Sequence, residues 1–443
     1  EAGLQAGDII MEINGKDMAQ GDRTPNELTS YVSDNLRGDP GTTCVLKLER
    51  PTADSTYIPM ELKITRGTIR TNPVPYYGMV DKNIGYIAIS TFAIEGCSKD
   101  IKKALIELKQ QGATSIVLDL RGNGGGLLSE AVNVVNFFVP KGKEIVVTKG
   151  KIKQAGSTYK TSNEPIDMEI PLTVLVDGAT ASAAEIVSGS LQDLDRAVIV
   201  GNRTYGKGLV QVPRELPYNS SMKVTTAKYY IPSGRCIQAI DYAKRNADGS
   251  VARIPDSLTT VFHTAAGREV RDGGGIRPDV EVKAERFPNI MFYLLNDDMI
   301  FDYATQYCIK HPNIGEVKDF SVTDADYDDF KQMLKKRNFT YDRQSEKSLK
   351  NLKEIAEFEG YMEGASEEFA ALEKKLTHNL DHELNRFSKQ IRKAIAEEIV
   401  KRHYFQRGVI LERMKDDADL TKAIETLKDK EGYTKILSVP ADK

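Results

Sequence analysis

From about residue 83 the chain alternates short, almost wholly apolar runs with stretches of helical amphipathic period, and this alternation restricts it to an α/β layer architecture. Gly85-Tyr86-Ile87-Ala88-Ile89 reads as a strand. Ile101, Ala104, Leu105 and Leu108 then share one face, which predicts a helix over Asp100 to Gln111 with Gly112 as its C-cap. Ile116 to Leu120 is a second strand, followed by a glycine-rich turn and a helix from about Leu127 to Phe138. Leu172 to Val176 is a third strand, Ser182 to about Leu194 a helix, and Val198-Ile199-Val200 a fourth strand. Before this core, residues 1–66 carry short alternating apolar runs and an Asn14-Gly15 turn, the pattern of a small, mostly β module. Beyond about residue 288 the sequence turns Lys- and Glu-rich and helix-forming. Three regions follow: 1–66, 67–287 and 288–443.

Composition removes several functions. A chain of 443 residues has ample length for two to four domains. Lys plus Arg number 61 against 64 Asp plus Glu, so no global basic field exists to hold a nucleic-acid backbone. No apolar run approaches the roughly 18 residues of a membrane span. Cys44, Cys97, Cys236 and Cys308 lie far apart and form no CxxC pair, which argues against a zinc knuckle or a dithiol redox site. The chain opens at Glu1-Ala2-Gly3-Leu4 inside a folded-looking pattern, so any signal segment would lie upstream of these residues, and composition leaves the compartment open.

The richest stretch is Asp177-Gly178-Ala179-Thr180-Ala181-Ser182-Ala183-Ala184-Glu185, small residues at a strand-to-helix junction. Ser182 falls at the helix start, where a hydroxyl often does no more than cap a backbone N–H. The same place also suits a nucleophile, because the helix dipole and the free N–H of Ala183 favour a developing oxyanion. All five histidines (His263, His311, His378, His382, His403) fall outside the α/β motifs, so a Ser-His-Asp triad has no supplier. Lys207, in Thr204-Tyr205-Gly206-Lys207-Gly208, follows by one helix, one strand and a turn. A lysine in an apolar pocket is a neutral amine able to take the serine proton; alone, it reads as a surface turn residue. Gln211, four positions on in Leu209-Val210-Gln211-Val212, falls on the same face if the strand is regular, where its amide could orient the amine. Gly201 to Lys207 also matches the first seven positions of a phosphate-binding P-loop. Gly208 then replaces the magnesium-ligating Ser or Thr, and a strand follows where a helix is required. Asp119-Leu120-Arg121-Gly122-Asn123-Gly124-Gly125-Gly126 ends a strand and offers free N–H groups, although by itself such a turn is an ordinary βα connection.

Together, Asp119 to Gly126, Thr180 to Glu185 and Tyr205 to Gln211 resemble the carboxy-terminal processing peptidases, or tail-specific proteases. Tyr229 to Arg235 and Gly275 to Val280 resemble later segments of their core, the likeness covers about residues 1–285, and against that pattern residues 241–272 stand as an insertion of about 30 residues. It implies a crotonase-like layered α/β core, with Ser182, Lys207 and Gln211 as the catalytic group and the N–H groups of Ala183, Gly125 and Gly126 as oxyanion donors. Ala2 to Lys16 resembles the second half of a PDZ domain, a module that takes peptides by strand addition. By that resemblance the carboxylate-binding loop and its strand would lie before Glu1. Ala184, where many relatives carry a further serine, and Gly122 and Gly124 depart from the commoner pattern without removing a catalytic group.

The expectation is therefore a serine endopeptidase that works through a Ser-Lys dyad and an acyl-enzyme, needs no metal or organic cofactor, and takes a protein or peptide substrate near its C-terminus. By resemblance it acts in the periplasm or another exported location, and its helical region is where oligomerisation is expected. Two rivals stand beside it: a peptide-binding scaffold without turnover, and an acyl-CoA enzyme of the crotonase type, which gives Lys207 and Gln211 no task.

Overall fold

The computed structural model describes residues 2–438 apart from 20, 55, 152–155, 246–250, 286, 377 and 378, so His378 and part of the 241–272 insertion lie outside the described residues. Strands β1 (Ile9–Ile13), β2 (Lys16–Asp17), β3 (Thr43–Pro51) and β4 (Tyr57–Thr65) form an antiparallel sheet in the order β2-β1-β3-β4. Between β2 and β3 runs α1 (Pro25–Leu36). Its start is written locally: Pro25 leads it, and Glu27 Oε2 takes the Thr24 N–H at 2.9 Å in a capping box. Ile13, Met18, Cys44 and Leu46 are buried beneath Tyr31, Val32 and Leu36.

The α/β core follows as the alternation requires. Its elements are β5 (Tyr76–Asp81), β6 (Ile84–Ala88), α2 (Cys97–Gln110), β7 (Ser115–Asp119), α3 (Leu128–Val135), β8 (Glu144–Lys149), β9 (Ser157–Lys160), β10 (Leu172–Val176), α4 (Ala183–Asp193), β11 (Val198–Gly201), β12 (Leu209–Leu216) and β13 (Ser220–Tyr230). Within the described part of the 241–272 segment, β14 (Ile240–Arg245) pairs antiparallel with β15 (Val251–Arg253) and β16 (Val261–His263) with β17 (Glu269–Arg271), before β18 (Val280–Glu281). The main sheet runs β18-β11-β10-β7-β6-β5, parallel except for β5 at the edge. Every residue of β6, β7, β10 and β11 is buried, which is why these strands read as continuous apolar runs rather than alternating ones. A second, antiparallel sheet has the order β12-β13-β8-β9.

The remaining chain is helical: α5 (Asn289–Asn296), α6 (Met299–Lys310), α7 (Asp324–Lys336), α8 (Gln344–Phe358), α9 (Met362–Leu376), α10 (Leu380–Arg386), α11 (Ser388–Met414), α12 (Ala418–Lys428) and α13 (Lys430–Ile436). Leu294, Ile300, Phe330, Leu334, Ile391, Ile395 and Ile399 make its core.

Contacts group the chain into two units that differ from the three sequence regions. One comprises Glu1–Ile69 with Glu285–Lys415, the other Arg70–Ala284 with Asp416–Lys443. The last helices thus belong with the α/β core. In α12, Leu420, Ala423 and Leu427 are buried as it lies across β7, β10 and β11, and in α13 the Tyr433 hydroxyl accepts the Leu172 N–H (2.9 Å) and reaches its carbonyl (3.1 Å). The sequence reading placed these helices with the rest of the 288–443 region, and nothing in it pointed to the sheet surface they cover.

Candidate active site

The site lies at the carboxyl ends of the parallel strands, where β7, β10 and β11 give way to loops. Ser182 occupies the turn from β10 into α4, half-buried, with φ +58° and ψ −119°. An ordinary N-cap serine is extended; this one has a backbone that a side chain resists, on a tight strand-to-helix turn. The turn is over-determined by its neighbours. The Ala181 N–H donates to the Asn123 carbonyl (2.9 Å), the Thr180 hydroxyl to the Leu120 carbonyl (2.8 Å), and the Ser182 N–H to Glu185 Oε2 (2.9 Å).

Glu185, fully buried in the first turn of α4, is the hub. Its Oε2 also accepts the Lys207 N–H at 2.8 Å, and its Oε1 accepts the Thr204 hydroxyl (2.6 Å) and the Gly206 N–H (2.8 Å). Burial pushes this carboxyl upward, and the four donors oppose that push. Tyr229, at the end of β13 and buried, supplies a second bridge. Its hydroxyl donates to the Lys207 carbonyl at 2.6 Å and lies 3.0 Å from Ser182 Oγ. With its only proton given to a carbonyl, the phenol is left to accept from the serine. Burial pushes it well above the usual tyrosine value, so it stays protonated.

The backbones of Ser182 and Lys207 are thus brought together, and their side chains are not bonded. Lys207 lies in the loop before β12 and is exposed, in contrast to the apolar pocket expected for it. Gln211 is the third residue of β12, also exposed, beside a register shift between Val210 and Gln211 in the pairing with β13. Lys207 precedes the strand, so strand alternation does not set its direction.

The glycine turn faces the serine. A Cβ placed on Gly125 (φ +96°) would lie 2.7 Å from Ser182 Cβ and 2.8 Å from the Ala183 nitrogen, so only glycine fits. The Gly125 N–H, expected as an oxyanion donor, is given instead to Asn123 Oδ1 at 2.9 Å, because the buried Asn123 side chain folds back across the turn while its amide holds the Ile89 carbonyl (2.8 Å). The N–H groups of Gly126 and Ala183 have no protein acceptor among the described residues. Asp177 takes the Gly122 N–H at 3.0 Å.

Sequence reasoning gave no role to Glu185, Tyr229 or Asn123. For Glu185 a signal existed, since Ser182-Ala183-Ala184-Glu185 is the Ser-x-x-Glu capping pattern. For Tyr229, 47 residues from the serine, none did. Among the described residues, no group of His, Cys, Asp and Glu could hold a metal ion, and no helix is long and apolar enough to cross a membrane.

Fold and site together define a mixed α/β protein that carries a serine on a strained turn opposite a glycine loop, with a helical C-terminal region. Residues 83–244 match peptidase family S41, and residues 290–427 match the C-terminal helical domain of a probable PDZ-protease. These two matched segments, and the relatives below, make the chain similar to carboxy-terminal processing proteases of family S41. It is 38% identical over 246 residues to the carboxy-terminal-processing protease of Bartonella bacilliformis, covering 54% of this chain and 53% of that one. It is 38% identical over 234 residues to the carboxyl-terminal-processing protease of Picosynechococcus sp., covering 52% and 53%. With the chloroplastic C-terminal processing peptidase of Tetradesmus obliquus it shares 32% over 273 residues, covering 59% and 55%. The matches span about half the length of these relatives.

Proposed function

We propose that this chain is a serine endopeptidase of the carboxy-terminal processing type. Ser182 Oγ attacks the scissile carbonyl, and Lys207 Nζ takes the serine proton and returns one to the leaving amine. Gln211 orients the lysine, and an acyl-enzyme is then hydrolysed. The N–H groups of Ala183 and Gly126 receive the oxyanion, an effect worth about 3–4 kcal/mol per donor in comparable sites. Gly125 joins them only if Asn123 releases it.

The observation that carries this reading is the shared carboxylate: one buried oxygen of Glu185 holds the backbone N–H of both dyad residues. Chemistry then needs only a side-chain movement, because the Lys207 amine is exposed and must swing toward Ser182. A substrate chain laid over the site would exclude water as it does so. The antiparallel sheet of residues 9–65 supports a partial PDZ-like module, and the names of the relatives support a protein substrate engaged near its C-terminus. A cell-envelope or periplasmic location and self-association through the helical region complete the proposal.

The exposed lysine also favours a second reading, a peptide-binding scaffold without turnover. The test is to incubate the protein with an unstructured polypeptide beside Ser182→Ala and Lys207→Ala variants. Cleavage by the parent alone is expected. Equal cleavage by all three would reject the dyad, and none by the parent would favour the scaffold.

A further inference from the structure

We propose that Asp417 and Asp419, contributed by the C-terminal segment, are positioning residues that hold the glycine turn through Arg121; this rests on the peptidase reading. Arg121 stands in the turn itself, and its five N–H donors are all taken. Nε donates to Asp119 Oδ1 (3.0 Å), Nη2 to Asp119 Oδ2 (2.6 Å) and Asp417 Oδ2 (2.7 Å), and Nη1 to Asp417 Oδ1 (2.9 Å) and Asp419 Oδ2 (3.1 Å). The guanidinium is therefore gripped by two carboxylates in bidentate fashion and by a third singly. Asp119 also accepts the Arg121 N–H (2.9 Å) and the Tyr86 hydroxyl (2.6 Å). Both ends of Arg121, backbone and side chain, are fixed.

Geometry links this grip to the reacting atoms. Gly122, the next residue, is held by Asp177, and the Asn123 carbonyl takes the Ala181 N–H, one residue before the nucleophile. The N–H of Gly126, proposed to receive the oxyanion, is five residues from Arg121 along a turn with glycines at four positions. Such a backbone does not hold its own shape. Three carboxylates around one cation are a poor source of stability, since buried excess charge is costly, but they define a position tightly. The grip comes from a segment 296 residues away, which caps its own helix with the same side chain: Asp417 Oδ1 accepts the Leu420 N–H at 3.0 Å. Asn keeps that cap and loses the charge, which makes Asp417→Asn a clean probe.

The experiment compares the full chain with an Asp417→Asn/Asp419→Asn double variant and with Lys428→Ala, which breaks the surface pair of α12 with Asp81 and leaves Arg121 alone. Two quantities are read: kcat and KM on an unstructured polypeptide, and amide hydrogen exchange in residues 120–127. The double variant should lose 10- to 100-fold in kcat with KM within about twofold, and its turn should exchange at least tenfold faster while β6, β7 and β10 exchange as in the parent. Lys428→Ala should match the parent in both. Unchanged kcat and exchange in the double variant would overturn the proposal, and so would an equal loss in Lys428→Ala, since helix docking alone would then suffice. If the double variant melts too early, Asp419→Asn, which removes only the longest contact, gives the same exchange test. A parent without hydrolysis would reject the peptidase reading, and the exchange comparison would still decide the grip.

Discussion

Ser182 and Lys207, 25 positions apart in the chain, donate their backbone N–H groups to the same oxygen of Glu185, at 2.9 and 2.8 Å. The carboxylate is inaccessible to water, so these bonds have no solvent replacement. In Glu185→Gln the amide would turn an NH₂ toward donors it cannot satisfy. A loss of about 2–4 kcal/mol is expected, from charge-assisted bonds worth about 1.5–3 kcal/mol each offset by partial repair. Denaturant unfolding measures that loss, and hydrolysis of an unstructured polypeptide should fall at least tenfold.

The glycine turn offers a paired comparison. Gly125→Ala drives a methyl to 2.7 Å from Ser182 Cβ and the Ala181 carbonyl, at φ +96°, whereas a Cβ on Gly122, at φ +70°, meets nothing within 4 Å. Gly122→Ala should cost about 1 kcal/mol of backbone strain and leave activity within a few-fold of the parent. Gly125→Ala should cost more than about 2 kcal/mol and abolish turnover. Melting curves and kcat for the two variants, measured together, check this; equal behaviour would contradict the close approach.

Tyr229→Phe removes one oxygen and two bridges. The Lys207 carbonyl and Ser182 Oγ each lose a partner, which should lower stability by about 1–2 kcal/mol and kcat several-fold. Because burial holds the phenol in its protonated form, the pH–rate profiles of parent and variant should have the same shape between pH 6 and 9. A limb of the profile that vanishes in Tyr229→Phe would show that the hydroxyl titrates after all.

Acid should act on the β module through Asp8. Burial alone would raise its carboxyl, and the Arg50 hydrogen bond, the Gln5 N–H and the Arg50 charge together bring it below its ordinary 3.8. A carboxyl lowered in the folded state contributes stability that is complete above the unfolded value and is lost as the pH falls through the folded one. The loss should therefore develop below pH 3.8, and Asp8→Asn should flatten the acid limb of a stability-versus-pH curve while lowering stability at neutral pH.

Much of the core was legible because its elements carry their own signals. The buried parallel strands read as apolar runs, and the helix faces of α2 and α4 read as stripes of Ile, Leu and Val at helical spacing. The candidate nucleophile was legible for the same local reason, since a run of small residues between strand and helix is visible in one window. Tyr229, Asp417 and Asp419 were not, because each acts on a residue far away in the chain, and Asn123 was not, because the sequence of its own turn does not fix which way its side chain folds. Gly125 shows the limit from the other side: its place in a glycine-rich turn was apparent, but its close approach to Ser182 and the direction of its N–H, which depends on how Asn123 folds, were not.

By itself the sequence determined periodicity, polarity and local stereochemistry, and hence the α/β core, the helical C-terminal region and the turn that bears Ser182. Tertiary structure alone decided which partners these features meet: Glu185 beneath two loops, Tyr229 across the serine, and a C-terminal helix returned to the sheet. The physical reason is that propensity and amphipathicity act over one or two turns of chain, whereas hydrogen bonds and ion pairs depend on distance in space. The exposed position of Lys207 belongs to that second kind of information.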